Sequence, residues 1–202
     1  MKGPQKRGKG CGLLLLGLLG LAGGLFFEGY PFLARQAPVV SDTLVIEGWL
    51  DDALLEQAAS WAASNGVKRI YLTGGPIETG GYLVEWKTLP DMTKARMEAL
   101  GLGQQFSLQA VPAGKVRRGR TQAAAQALKV ELNLERGAFN LASEGPHTRR
   151  SWRTFQKEFG DGVAVGSVAL TPTDFNRSDW WSCSEGVRSM IGEAIAYVVE
   201  LF

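Results

Sequence analysis

Short apolar runs of strand length alternate along this chain with longer stretches whose apolar residues recur at helical spacing. The run at 42–47, Asp-Thr-Leu-Val-Ile-Glu, is β-branched and apolar and stops at Gly48. Over 52–65, Leu54, Leu55, Ala58, Ala59 and Ala62 fall on one helical face. Asp51 or Asp52 can cap that helix, and Asn65-Gly66 can close it. The pattern goes on to predict strands at 68–73, 106–111, 138–142 and 162–169 and helices at 92–102, 121–134, 146–159 and 184–201. In the last helix Val187, Met190, Ile191, Ala194, Ile195 and Val198 form the stripe expected to be buried. Ser182 with Glu185 has the spacing of a capping box at its start. Each strand-to-strand connection is long enough for a crossover. The expected fold is therefore α/β, a three-layer αβα domain with a mostly parallel five-stranded sheet covered by helices on both faces.

The pattern changes ahead of this domain, which is expected to span 42–202. Residues 10–27 form a charge-free run of 18, dominated by Leu and Gly. That is slightly short of the ~20 residues that span a bilayer and longer than a signal-peptide core of roughly 7–15. Ala22-Gly23-Gly24 offers small residues where a signal peptidase could cut. The run continues through Leu25, Phe26 and Phe27, with Tyr30 and Phe32 as interfacial aromatics, which favours an uncleaved single-pass anchor. Residues 28–41, with Pro31 and Pro38, read as the linker.

Charge sets the orientation. Lys2, Lys6, Arg7 and Lys9 occupy the segment 1–9, and no acidic residue precedes Glu28. The positive-inside rule then places this end in the cytoplasm and exports the domain, to the periplasm or the cell exterior. Of the 22 basic residues, removing these four leaves 18 against 20 acidic ones, which is not the broad basic profile of a nucleic-acid binder. One histidine and two distant cysteines, Cys11 and Cys183, do not supply the ligand set of a zinc site, so no metal is expected. No Walker pattern, no G-x-G-x-x-G after the first strand and no G-x-S-x-G turn is present, and no cofactor can be named.

The loops after parallel strands gather at one edge of the sheet, where ligands bind. Here those loops hold Glu47-Gly48-Trp49, Thr73-Gly74-Gly75-Pro76, the stretch 112–121, and 144–150. The last is the stretch around which the site is expected to form. Pro146 suits the first turn of a helix, which brings His147, Arg149 and Arg150 to a helix start at a strand's carboxyl end. His147 and Arg150, three apart, share a face suited to one anionic group, while Arg149 points elsewhere. Gly74 and Gly75 can bring backbone N–H groups to the same anion, or simply form a flexible turn. Lys115, Arg117, Arg118 and Arg120 precede the helix that Thr121 is expected to cap, with Arg120 facing the ligand edge. Glu47 and Glu144 end their strands as general bases or as ion-pair partners of the arginines; sequence does not separate the two. Trp180 and Trp181 are placed to flank a ligand, to lie against a bilayer, or to pack the final helix.

With these residues in view, the chain resembles the ElyC/SanA/YdcF-type family of bacterial envelope proteins, whose domain is of unknown function. The resemblance runs from about Thr43 to Tyr197 and rests on motifs in a fixed order. These are L-V-I-E-G-W-L at 44–50, T-G-G-P at 73–76, Arg120-Thr121, H-T-R-R-S at 147–151 and W-W-S-C-S-E-G-V-R at 180–188. Many relatives have a glycine-rich turn where this chain has Glu47-Gly48-Trp49, so it looks like a divergent branch. The resemblance implies a Rossmann-like domain, membrane-anchored through one N-terminal helix and facing the periplasm or exterior. It also implies a role in cell-wall or surface-polysaccharide assembly or lipid-carrier metabolism. The site expectation joins the two readings. His147 and Glu47 are the candidate acid or base groups. Gly48, Trp49, Gly74, Gly75, Arg120, Thr121, Glu144, Arg149 and Arg150 are the candidate contacts to an anionic small molecule or lipid-linked ligand.

Overall fold

The computed structural model describes residues 26–201 together with Gly17, Gly20, Gly23 and Gly24. The predicted basic segment 1–9, Cys11 and the other positions of the predicted anchor lie outside the described residues. No helix among the described residues is long and apolar enough to cross a membrane.

Five strands, β1 (Thr43–Glu47), β2 (Arg69–Gly74), β3 (Ser107–Pro112), β4 (Gly137–Glu144) and β5 (Val163–Leu170), form one sheet in the order β3-β2-β1-β4-β5. All neighbours pair in parallel, so the sheet is α/β and Rossmann-like. The helices are α1 (Asp52–Ser64), α2 (Leu89–Ala99), α3 (Arg120–Leu132), α4 (Thr148–Phe159) and α5 (Ser184–Val199). The chain steps outward from β1 through β2 to β3, then returns past β1 to β4 and β5. A fixed crossover hand puts helices from the two directions of travel on opposite faces. The side chains agree. Leu44 and Ile46 of β1 pack with Leu54, Leu55 and Ala58 of α1 and Met97 of α2. Val45, between them, faces the other way with Ala125 and Leu128 of α3 and Phe155 and Phe159 of α4. Strand side chains alternate between faces, and here both faces are covered, which is why β1 is buried along its whole length.

Element ends differ from the pattern where local capping decides. Asp51 is the cap of α1, its carboxylate accepting from Leu54 N at 2.8 Å. Helix α2 starts three residues earlier than 92, at Leu89, because Thr88 caps it and bonds Asp91. Gly119, at φ 68°, and not Thr121, stands before α3, and no side chain caps that helix. The Ser182–Glu185 capping box does not form; Cys183 precedes α5, and Glu185 bonds Ser184 and Arg188 instead.

The segment 28–41 lies on the domain. Residues 26–33 are helical, and Tyr30 and Leu33 are buried with Phe175, Trp180 and Met190 in a third apolar cluster. Ala37 pairs with Ser167 of β5, and Asn140 of β4 exchanges two hydrogen bonds with Val39. Helix α5 belongs to this third cluster rather than to either layer of the sheet. The expectation for its stripe is therefore corrected. Met190 is buried and Val187 partly so, but Ile191, Ala194, Ile195 and Val198 are exposed. Packing uses a neighbouring face of the helix, and the periodic stripe looks outward.

Candidate functional site

The strand order reverses between β1 and β4, and the crevice left at such a point is where open α/β sheets hold ligands. Glu47 ends β1 there, and Ser143 and Glu144 end β4 beside it. A short 3-10 turn, Gly145–His147, then leads into α4 and hands His147 across to Glu47. His147 therefore stands on this turn, just ahead of the α-helix.

Glu47 is almost fully buried. Its carboxylate accepts hydrogen bonds from the hydroxyls of Ser143 and, at 3.0 Å, of Ser151, and it faces His147 Nε2 at 3.6 Å. His147 Nδ1 donates to Glu193 Oε1 of α5 at 2.9 Å. Arg150 takes the same carboxylate in a fork, Nε to Oε2 at 2.8 Å and Nη2 to Oε1 at 3.1 Å, and reaches Glu200 through Nη1 at 3.0 Å. The anionic group that His147 and Arg150 were expected to share is thus supplied by the chain itself.

Two carboxylates beside one imidazole set its charge. Burial acts against the imidazolium, but the charge of Glu47 and the hydrogen bonds His147 donates to Glu193 and Glu47 outweigh it and lift His147 to about 9. Burial pushes Glu47 up, yet the His147 charge and the hydrogen bonds of His147, Ser143 and Ser151 hold it below the usual range. Glu193 is likewise brought down, against burial, to about 2 by hydrogen bonds from His147 and Arg150. Glu144 goes the other way, raised by burial and by the charges of Asp174 and Asp51. The two carboxylates thus favour the protonated form of His147, which suits it to donate a proton or meet an anion. Its Nε2–H, held by Glu47 only at 3.6 Å, is the polar atom it can turn to a ligand.

Above this floor lies an open cleft of about 1120 Å³. Glu47, Trp49, Gly74, Gly75, Glu144 and His147 line it, as do Arg120, Thr121 and Arg150. Trp49 meets the His147 ring edge-on at 5.2 Å between centroids. Two expected contacts are corrected. Gly48 does not line the cleft: its N–H donates to Thr73 O, its carbonyl accepts from Thr93, and a Cβ would stand 3.1 Å from the backbone of Leu89. Arg149 turns outward, lying 3.9 Å over the Phe32 ring and donating to the Phe32 carbonyl. Arg150 reaches the cleft but is already held by Glu193 and Glu200.

Five further cations line the cleft, together with the acidic Glu78 and Glu158. Arg117, Arg118 and Arg120 come from the loop before α3 and its first turn, and Arg153 and Lys157 from α4. None of the five has an ion-pair partner among the described residues, whereas the floor cations do. Arg153 and Lys157 were missed, although their spacing of three and seven from Arg150 puts them on its face of α4. Glu193 was also missed. Sequence carries no signal for Glu193, since a carboxylate on the polar face of an amphipathic helix is ordinarily solvated.

The raised His147 predicts a pH dependence. A cation favoured in the folded state stabilises fully below its ordinary value of 6.5 and ceases to as pH rises through about 9. Over that window the protein is expected to lose roughly 3 kcal/mol that a His147→Gln variant does not lose. Parallel unfolding profiles for the two proteins between these pH values would rule this out. Glu193 adds an acid limb, with stability lost as pH falls from 4.5 toward 2. No protein-family model matches the chain and no curated protein is similar to it, so its function is argued from this geometry.

Proposed function

We propose that this chain is a membrane-anchored envelope protein that binds a phosphorylated or otherwise anionic ligand at the carboxyl edge of its sheet. The reading places it in cell-wall or surface-polysaccharide assembly or in lipid-carrier metabolism, the setting that the family resemblance implies. What carries it is the charge that lines the cleft: Arg117, Arg118, Arg120, Arg153 and Lys157 have no ion-pair partner among the described residues and share the cleft with His147. Planar guanidinium groups suit phosphate and carboxylate oxygens, and the uncapped start of α3 adds backbone N–H groups beside them. In this reading these cations hold the anion and His147 donates from Nε2 to the adjoining oxygen. Glu47 favours the charged form of His147, and Glu144, raised by burial, lies on the same floor.

A second reading is a non-catalytic sensor or docking module. One observation favours it: the polar atoms of His147 and Arg150 are largely satisfied within the protein, as in a clamp joining α4 to α5. The test is a thermal-shift screen of inorganic phosphate, sugar phosphates, nucleotides and polyprenyl phosphates. The full chain in detergent is used, because removing residues before 36 would strip Tyr30 and Leu33 from the third cluster. A ligand at a hundred times its dissociation constant should stabilise by about 2.7 kcal/mol. A hit lost in Arg118→Ala/Arg120→Ala but kept in His147→Gln is the expected result. A hit that survives the double variant would remove these cations from the account, and no hit at all would favour the docking module.

A further inference from the structure

The outward stripe of α5 is the largest feature of the fold that the cleft does not use. Ile191, Ile195, Val198 and Val199 each expose half or more of their surface. Arg188, Ser189, Gly192, Glu193 and Glu200 of the same helix line the cleft. At ~100° per residue Arg188 and Gly192 border the stripe, so the apolar face runs along the rim of the polar cleft.

Two further observations say what covers that face. First, it adjoins the point where the apolar run 10–27 meets the domain. The Phe26 ring lies 4.8 Å from both Trp180 and Trp181, in the 3-10 turn just before α5, and the Phe27 ring lies 6.2 Å from Trp181. Phe27 and Trp181 are themselves exposed. Of the apolar run, no atom of the domain comes within 4 Å of a Cβ placed on Gly17, Gly20, Gly23 or Gly24, so these positions do not cover α5. Second, the stripe has the composition of an interfacial helix. Aliphatic residues occupy its centre and aromatic residues its edge, and the exposed Arg188 sits one turn before Ile191. The acidic residues near its two ends are paired, Glu185 to Arg188 and Glu200 to Arg150.

We infer that the apolar face of α5, with Phe27 and Trp181, lies in the interfacial layer of the bilayer that the anchor enters. The cleft whose rim this face follows then opens close to the headgroups, within reach of a phosphate carried by a lipid. This rests on 10–27 being an anchor, and the experiment separates the two. Single cysteines are placed by Ile195→Cys, Val198→Cys, Leu16→Cys and Lys94→Cys in a Cys11→Ser/Cys183→Ser background. Each full-length protein is spin-labelled and reconstituted in vesicles of phosphatidylethanolamine and phosphatidylglycerol. Labels at 195 and 198 are expected to collide several-fold more with oxygen than with a water-soluble nickel chelate, as the label at 16 does. The label at 94, on α2, is expected to show the reverse. If 195 and 198 behave like 94 while 16 stays in lipid, the face is not on the membrane and the anchor stands. If 16 is also aqueous, both readings fall. Strong spin–spin broadening between copies at 195 would instead assign the face to a second copy of this chain, and overturn the inference.

Discussion

Glu47→Leu is expected to lower the unfolding free energy by roughly 3–5 kcal/mol, the range for removing one partner of a buried ion pair. The glutamate side chain is only 5% exposed, so little solvent screening reduces the effect. Leucine leaves the hydroxyls of Ser143 and Ser151, both fully buried, without their acceptor, and leaves the His147 cation facing an apolar group. In a chain of this size each kcal/mol shifts the midpoint by about 2–4 °C. Thermal unfolding in detergent would therefore show a drop of roughly 10 °C. Glu47→Gln separates charge from hydrogen bonding, since the amide oxygen can still accept from one serine. It should lose less stability and let His147 titrate lower. A loss below about 1 kcal/mol for the leucine variant would mean that the carboxylate is not the anchor of this floor.

Glu193→Ala should produce the next largest loss, roughly 3 kcal/mol, because one carboxylate neutralises two cations. Its removal leaves Arg150 with only Glu200 and takes a hydrogen-bond partner from His147. The effect should also be visible at His147 directly. Because it is the sole histidine, its ring signals are unambiguous in a proton–nitrogen spectrum, and their titration should move down from about 9. A double cycle with Arg150→Ala should give a coupling of about 1–3 kcal/mol. Additive losses and an unmoved histidine would show that α4 and α5 are not joined through this carboxylate.

The apolar wedge that joins the 26–33 helix to α5 and the ion-pair network that joins α4 to α5 hold the terminal helix from two sides. This explains how α5 stays on the domain while four of the six residues of its periodic stripe face away. A helix held by aromatic packing and charge does not need its most regular apolar face for folding, and that face is left for another surface.

Much of this was legible in the amino-acid order. The alternation of strand-length and helix-length patterns, with long connections, dictates a parallel sheet whose strand ends collect on one edge. The spacing of His147 and Arg150 puts both on one face whatever surrounds them. A period, however, reports only that a face is distinct, not what it meets. The anion between His147 and Arg150 is Glu193, more than forty residues on, and which carboxylate arrives depends on how α5 is docked. Arg149 turns to Phe32 because the segment before the domain folds back, which no local pattern encodes. Strand order was equally undetermined, since every crossover is long enough to reach either side of β1. Its reversal between β1 and β4 is decided by packing, and that reversal brings Glu47 to His147. Sequence determined the elements, their faces and the edge that carries the chemistry. The tertiary structure decided which charges are already neutralised and which remain open to a ligand, because pairing at 3 to 4 Å depends on contacts between residues far apart in the chain.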